Sequence, residues 1–197
     1  ITTLSSADAS RVIMYSLNGA KKGKEYTEAL NLREGGVLKV WYKDNPKLFF
    51  VNQLERIENV PLQVVYASSQ EPREGDAAHL TDGETSTIWH TMYSVTLAKY
   101  PHWVDFDAAS LKNMKGFIYT PRMDSYNGCV KDYEIYVSQD GKEWGELVMK
   151  GSFEAAGEAH KVMFDKPVKA RYIRFRALSE QRGNDYASGA EFGLIAE

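Results

Sequence analysis

Apolar and polar residues alternate with a period of two in the C-terminal half of the chain. Tyr133, Ile135 and Val137 interleave with Glu134, Tyr136 and Ser138, and Ile173, Phe175 and Ala177 interleave with Arg174, Arg176 and Leu178. Successive side chains of a strand point to opposite faces, so this spacing predicts half-buried strands. Asp140-Gly141, between the first run and Trp144, is a two-residue hairpin signal, and Gly116, Pro121, Gly151 and Pro167 punctuate further short segments. Helical spacing is scarce. Many short strands joined by turn chemistry predict an all-β fold, an antiparallel β-sandwich or jelly roll. Trp41, Trp89, Trp103 and Trp144 are read as core.

The first sixty residues carry three strand-like runs, 11–19, 26–32 and 35–42, joined by glycine- and lysine-rich turns. Pro61 would break a continuing ladder, and Leu62-Gln63-Val64-Val65-Tyr66 starts a new strand. The expected division is therefore a small β domain over 1–59 and a larger one over 60–197.

Composition mainly excludes. With 197 residues, 43% hydrophobic and 26% charged, the chain can bury one or two small cores, and a net charge of -3 argues against nucleic acid. No apolar run approaches the roughly 18 residues of a membrane span, and no basic amphipathic helix is present to lie on a bilayer. One cysteine, Cys129, precludes an internal disulfide and reads as a buried thiol. The chain opens at Ile1 with no initiator methionine or signal peptide, so the expectation is a piece cut from a longer protein, and, on the function read below, a secreted, periplasmic or cell-surface monomer.

One stretch carries chemistry. In A-A-H-L-T-D-G-E-T-S-T-I-W-H (77–90), Asp82 and Thr87 offer hard oxygens on one short loop and Gly83 lets it turn sharply. Trp89 anchors the loop, and His90 and Tyr93 follow, expected to point outward. That combination suits calcium and sugar.

This run is followed by P-H-W-V-D-F-D (101–107), Y-T-P-R (119–122), N-G-C-V-K-D-Y-E-I-Y-V-S (127–138), A-R-Y-I-R-F-R-A-L-S-E (170–180) and Y-A-S-G-A-E (186–191). Together they resemble the discoidin or coagulation-factor type C domain, and within it family 32 carbohydrate-binding modules, over roughly residues 58–197. The resemblance implies a discoidin-like β-sandwich of the galactose-binding type. It also implies structural calcium held by the Asp82 carboxylate, the Thr87 hydroxyl and carbonyl, the Glu191 carboxylate and the carbonyls of His79, Glu84 and Ala190. Residues 11–42 are similar to the small immunoglobulin-like domain at the C-terminus of chitobiases and β-hexosaminidases, with Asn18 in place of the usual aspartate.

Sugar recognition needs planar donors spanning neighbouring hydroxyls, a group matched to the distinguishing hydroxyl, and an aromatic face. Arg122 presents a rigid fork of donors, His90 can donate and accept, and Asn127 can bond either way. The resemblance puts these three on the loops of a galactose pocket, with Tyr93 or Tyr186 as platform. Relatives can place a glutamate before the calcium loop; here that position falls on Arg73, with Glu71 and Glu74 close by. The expected function is non-catalytic targeting of an attached glycoside hydrolase to galactose, N-acetylgalactosamine or N-acetylglucosamine glycans. Two alternatives stand beside it: a discoidin domain that docks proteins or cell surfaces, and an enzyme. No catalytic motif favours the enzyme, and Asp105 and Asp107 read as solvent-facing strand charges.

Overall fold

A computed structural model of the chain describes residues 2–30, 32, 36–54, 59–154 and 157–196. It divides into two compact units, Ile1–Glu58 and Asn59–Glu197.

The first unit is one antiparallel sheet of β1 (Ile13–Leu17), β2 (Lys24–Glu25), β3 (Gly36–Tyr42) and β4 (Asn45–Leu54), in the order β2-β1-β3-β4. The middle run expected as a strand over 26–32 does not form one. Among the described residues it makes an isolated bridge from Leu30 to Thr2 and one backbone hydrogen bond from Tyr26 N–H to the Ile13 carbonyl at 2.8 Å, and residue 31 lies outside them. β4 went unread. Its stretch Leu48 to Val51 is exposed on both faces, so burial imposes no alternation on it. Asn18 adopts φ +52°, a left-handed conformation that asparagine tolerates, and its Oδ1 accepts the Val37 N–H at 2.9 Å. A single sheet buries little: Trp41, expected as core, is half-exposed.

The second unit holds β5 (Asn59–Val60), β6 (Gln63–Ala67), a 3₁₀ turn (Ala77–Thr81), β7 (Trp89–His90), β8 (His102–Thr120), β9 (Asp132–Ser138), β10 (Met149–Ser152), β11 (His160–Ala177), β12 (Ser188–Gly189) and β13 (Glu191–Ala196). Asn59, read as the end of the first domain, belongs here because β5 pairs with β13. The main sheet runs β10-β9-β11-β8-β13-β5, with β6 also on β8, and β7 pairs with β12 apart from it. β8 and β11 are long enough to serve both layers of the β-sandwich. One half of β8 pairs with β6 and the other with β13, and β11 shifts register twice, between Met163 and Val168 and between Ala170 and Tyr172. Such bulges bend a strand and increase its twist. Among the described residues no helix is long and apolar enough to cross a membrane.

The period-two reading holds where one face is buried. Tyr133 and Ile135, and Ile173, Phe175 and Ala177, all lie in the core, around Phe106, Phe117 and Phe192. Phe192 stacks on Phe106 at 4.5 Å and on Phe117 at 5.5 Å. The same period places Trp103, Asp105 and Asp107 opposite buried Val104 and Phe106. Trp103 is therefore on the outer face rather than in the core. Arg174 lies 5.4 Å from its ring and 4.1 Å from that of Trp144, which is likewise half-exposed. Asp105 and Asp107 are not solvent-facing: Arg174 grips the first at 2.6 and 2.7 Å, and Arg171 grips the second at 2.7 Å through both nitrogens.

Asp140-Gly141 does not close a two-residue hairpin, since β9 and β10 are joined by a ten-residue connection, 139–148. The Asp140 carboxylate instead accepts the N–H groups of Lys142 and Glu143, both at 2.9 Å, an Asx turn within the longer loop.

Candidate functional site

Four separate loops converge on one cavity of about 520 Å³, lined by Glu74, Ile88, His90, Tyr93, Arg122, Asn127 and Tyr186. All five side chains read from the sequence as sugar contacts are among them.

His90 ends β7 and is buried, not pointed outward as expected, with 6% exposure. Its ring meets Tyr93 edge-on at 5.0 Å and Tyr186 at 5.2 Å. Burial lowers its pKa below the ordinary histidine range, outweighing nearby carboxylates, so the imidazole is neutral at neutral pH. Nδ1 lies 2.7 Å from the Thr91 carbonyl. A carbonyl only accepts, which assigns the proton to Nδ1 and leaves Nε2 as an acceptor.

Arg122 follows Pro121 at the end of β8. Its Nε and Nη2 bond Asp124 at 2.7 and 2.8 Å, so this arginine is an ion-pair partner as well as a candidate sugar contact. The grip fixes the plane of the guanidinium and leaves Nη1 with its two donors to spare. Asn127 is held through its backbone, accepting the Ser188 hydroxyl at 2.7 Å, and its side-chain Oδ1 lies 3.5 Å from Arg182 Nη1.

Tyr186 owes its place to the chain around it. Tyr100 Oη donates to the Tyr186 carbonyl at 2.7 Å, and Ala187 N–H donates to Thr91 Oγ1 at 2.9 Å. His102 Nε2 lies 2.6 Å from the Asp185 carbonyl. These anchors were not read from the sequence, because their roles exist only once residues 83 to 96 apart meet.

Glu74 occupies the cavity where the sequence register pointed to Arg73. The reason is the turn Glu71–Gly75: Arg73 takes φ +78°, which swings the next residue inward, and Glu71 and Gly75 form an isolated bridge. Gly75 is needed there, since a Cβ would come within 2.7 Å of the His90 carbonyl. Tyr93 Oη donates to Glu74 Oε1. Ile88 adds an apolar patch, and nothing in its local sequence marked it.

Of the expected calcium ligands, the side chains of Asp82, Thr87 and Glu191 and the Glu84 carbonyl come together. Asp76 caps the 3₁₀ turn by accepting Ala78 N–H at 2.9 Å, and Gly83 then turns the chain with φ +83°. Asp82 accepts the Glu84 N–H at 2.8 Å and the Thr87 hydroxyl at 2.7 Å, and that hydroxyl also lies 2.8 Å from the Glu84 carbonyl. Glu191, the first residue of β13, brings a second carboxylate against Asp82. Its Oε1 is buried with no hydrogen-bond partner among the described residues. Burial, then Asp82, push its pKa up to about 7. Two carboxylates this close, one with an orphaned oxygen, fit a hard dication. Among the described residues no group of three or more His, Cys, Asp or Glu side chains could hold a metal, so a calcium ion here would depend on hydroxyl and carbonyl oxygens for its remaining ligands. His79 turns its Nδ1 to the Ile88 carbonyl at 2.8 Å, and Ala190 is buried next to Glu191.

Residues 64–192 match the F5/8 type C domain. The chain belongs to that family. A sialidase of Micromonospora viridifaciens is 36% identical over 151 residues, 75% of this chain and 23% of the sialidase, so the chain spans about a quarter of that relative's length. Among solved structures, a CBM32 module of Clostridium perfringens in complex with GalNAc-β-1,3-galactose is 29% identical, with a TM-score of 0.64 over 70% of this chain and 99% of that one. A family 32 CBM of C. perfringens in complex with galactose is 28% identical, with a TM-score of 0.61 over 68% and 96%.

Proposed function

We propose that the second unit is a non-catalytic carbohydrate-binding module that holds a galactose-type or N-acetylhexosamine residue and directs an attached glycoside hydrolase to its glycan. The observation that carries this reading is the convergence of Glu74, His90, Tyr93, Arg122, Asn127 and Tyr186 on one cavity. The free Nη1 of Arg122 spans two hydroxyls, His90 Nε2 accepts from a third, Glu74 and Asn127 serve the rest, and Tyr93 or Tyr186 covers the C–H face. Asp82, Thr87 and Glu191, with the carbonyls of His79, Glu84 and Ala190, would hold calcium, which supplies a structural brace and no chemistry of its own. The protein is a secreted or surface-bound monomer in this reading. In this reading the first unit, a four-stranded antiparallel sheet, is the immunoglobulin-like spacer.

Catalysis has no support in Asp105 or Asp107, both consumed by arginines. A shallow site with few anchors should bind single sugars with a Kd of about 0.1–10 mM. Calorimetric titration with galactose, N-acetylgalactosamine, N-acetylglucosamine and fucose should give saturable binding to at least one of the first three. Silence toward all of them would favour docking to protein, and turnover of aryl-glycosides that disappears in Asp105→Asn would make the unit an enzyme.

A further inference from the structure

We propose that Glu71 is the positioning residue of the pocket, its buried carboxylate tying the turn that carries Glu74 to the loop that carries Tyr93. The proposal rests on the sugar-binding reading only for its effect on affinity.

Glu71 does not line the cavity and is 3% exposed. Oε2 accepts the N–H groups of Tyr93 at 2.7 Å and Ser94 at 3.0 Å, and the Ser94 hydroxyl donates to Oε1. Its backbone N–H donates to the His90 carbonyl at 2.7 Å, and its own carbonyl accepts Gly75 N–H at 3.1 Å, closing the turn that aims Glu74. One residue thus fixes the spacing of Glu74, His90 and Tyr93. An apolar side chain would fill the same volume without the cost of burying a carboxylate, but it could not hold two backbone N–H groups pointing into the protein. Tyr93 is 46% exposed, so packing alone does not set its ring.

Three replacements separate positioning from bulk stability. Glu71→Gln keeps an acceptor for both amides and offers an NH₂ to the Ser94 hydroxyl, which can rotate to accept it. Glu71→Asp keeps the charge but withdraws the acceptor by one methylene, and Glu71→Ala removes it.

The test uses the full chain and two readouts. The first needs no sugar: the proton–proton contact between the Tyr93 and His90 rings, whose centroids are 5.0 Å apart. The second is calorimetric affinity for galactose and N-acetylgalactosamine. Glu71→Asp should lose the ring contact and bind about tenfold more weakly, while Glu71→Gln keeps the contact and stays within about threefold of native. Once Tyr93 is alanine, adding Glu71→Asp should cost clearly less than it does in the native background, because a large part of its effect runs through that ring. An intact ring contact in Glu71→Asp overturns the proposal, as does a full additive loss in the double variant. A native protein that binds neither sugar sinks the sugar-binding reading alone, and the ring contact still decides the role of Glu71.

Discussion

Arg122→Ala is expected to weaken galactose or N-acetylgalactosamine binding by about 100-fold, taking a millimolar site beyond calorimetric detection. Hydrogen bonds to a charged group contribute about 1.5–3 kcal/mol each, and the free edge of this guanidinium offers two to vicinal hydroxyls. The loss should be one of binding and not of folding. The pair with Asp124 is local and its carboxylate is exposed, so its removal costs the fold about 1 kcal/mol or less. Arg122→Lys should recover little, since a point charge cannot hold two hydroxyls in register. Asp124→Ala should cost only a few-fold, because it frees the arginine to rotate without removing a donor. Native affinity in Arg122→Ala would mean that the sugar is held elsewhere.

Calcium removal is expected to produce the largest change in stability. A ligand present at about 100 times its Kd adds about 2.7 kcal/mol, which for a unit of this size corresponds to a Tm shift of about 10 °C. In the metal-free protein, burial and then the neighbouring Asp82 push Glu191 up to about 7, above its ordinary 4.5. The protonated acid therefore stabilises the fold below its unfolded value, and that contribution is lost as pH rises through about 7. Calcium takes the place of the proton, so its benefit should be small near about pH 5 and largest near about pH 8. Glu191→Gln should remove the part of the pH dependence that is lost through about pH 7 in the chelator-treated protein, and most of the calcium response. Equal Tm values with and without calcium near about pH 8 would contradict the metal assignment.

How much of this was legible follows from which forces act locally. Burial on one face enforces a period of two, so β9 and β11 could be read from Tyr133 to Val137 and from Ile173 to Ala177. β4 could not, because Leu48 to Val51 is continuously apolar and exposed. Asp140-Gly141 misled because a carboxylate that caps its own loop produces the same dipeptide as a tight hairpin. Tryptophans 103 and 144, and Trp41 in its alternating strand, are expected in the core, whereas of the four tryptophans only Trp89 is fully buried; Trp103 and Trp144 cover Arg174 instead. His90, Tyr93, Arg122, Asn127 and Tyr186 were legible through a family register, which local patterns alone could not supply across residues 90–186. Glu71, His102 and the inward swing of Glu74 depend on a turn geometry and on long-range partners that no short window contains.

The most direct test of the account is to titrate isotopically labelled protein with galactose and N-acetylgalactosamine while following its amide and side-chain resonances. Shifts are expected to concentrate on Glu74, Ile88, His90, Tyr93, Arg122, Asn127 and Tyr186, the residues that line the cavity, and to vanish in Arg122→Ala. Shifts that map to another face, or the same shifts in Arg122→Ala, would contradict it.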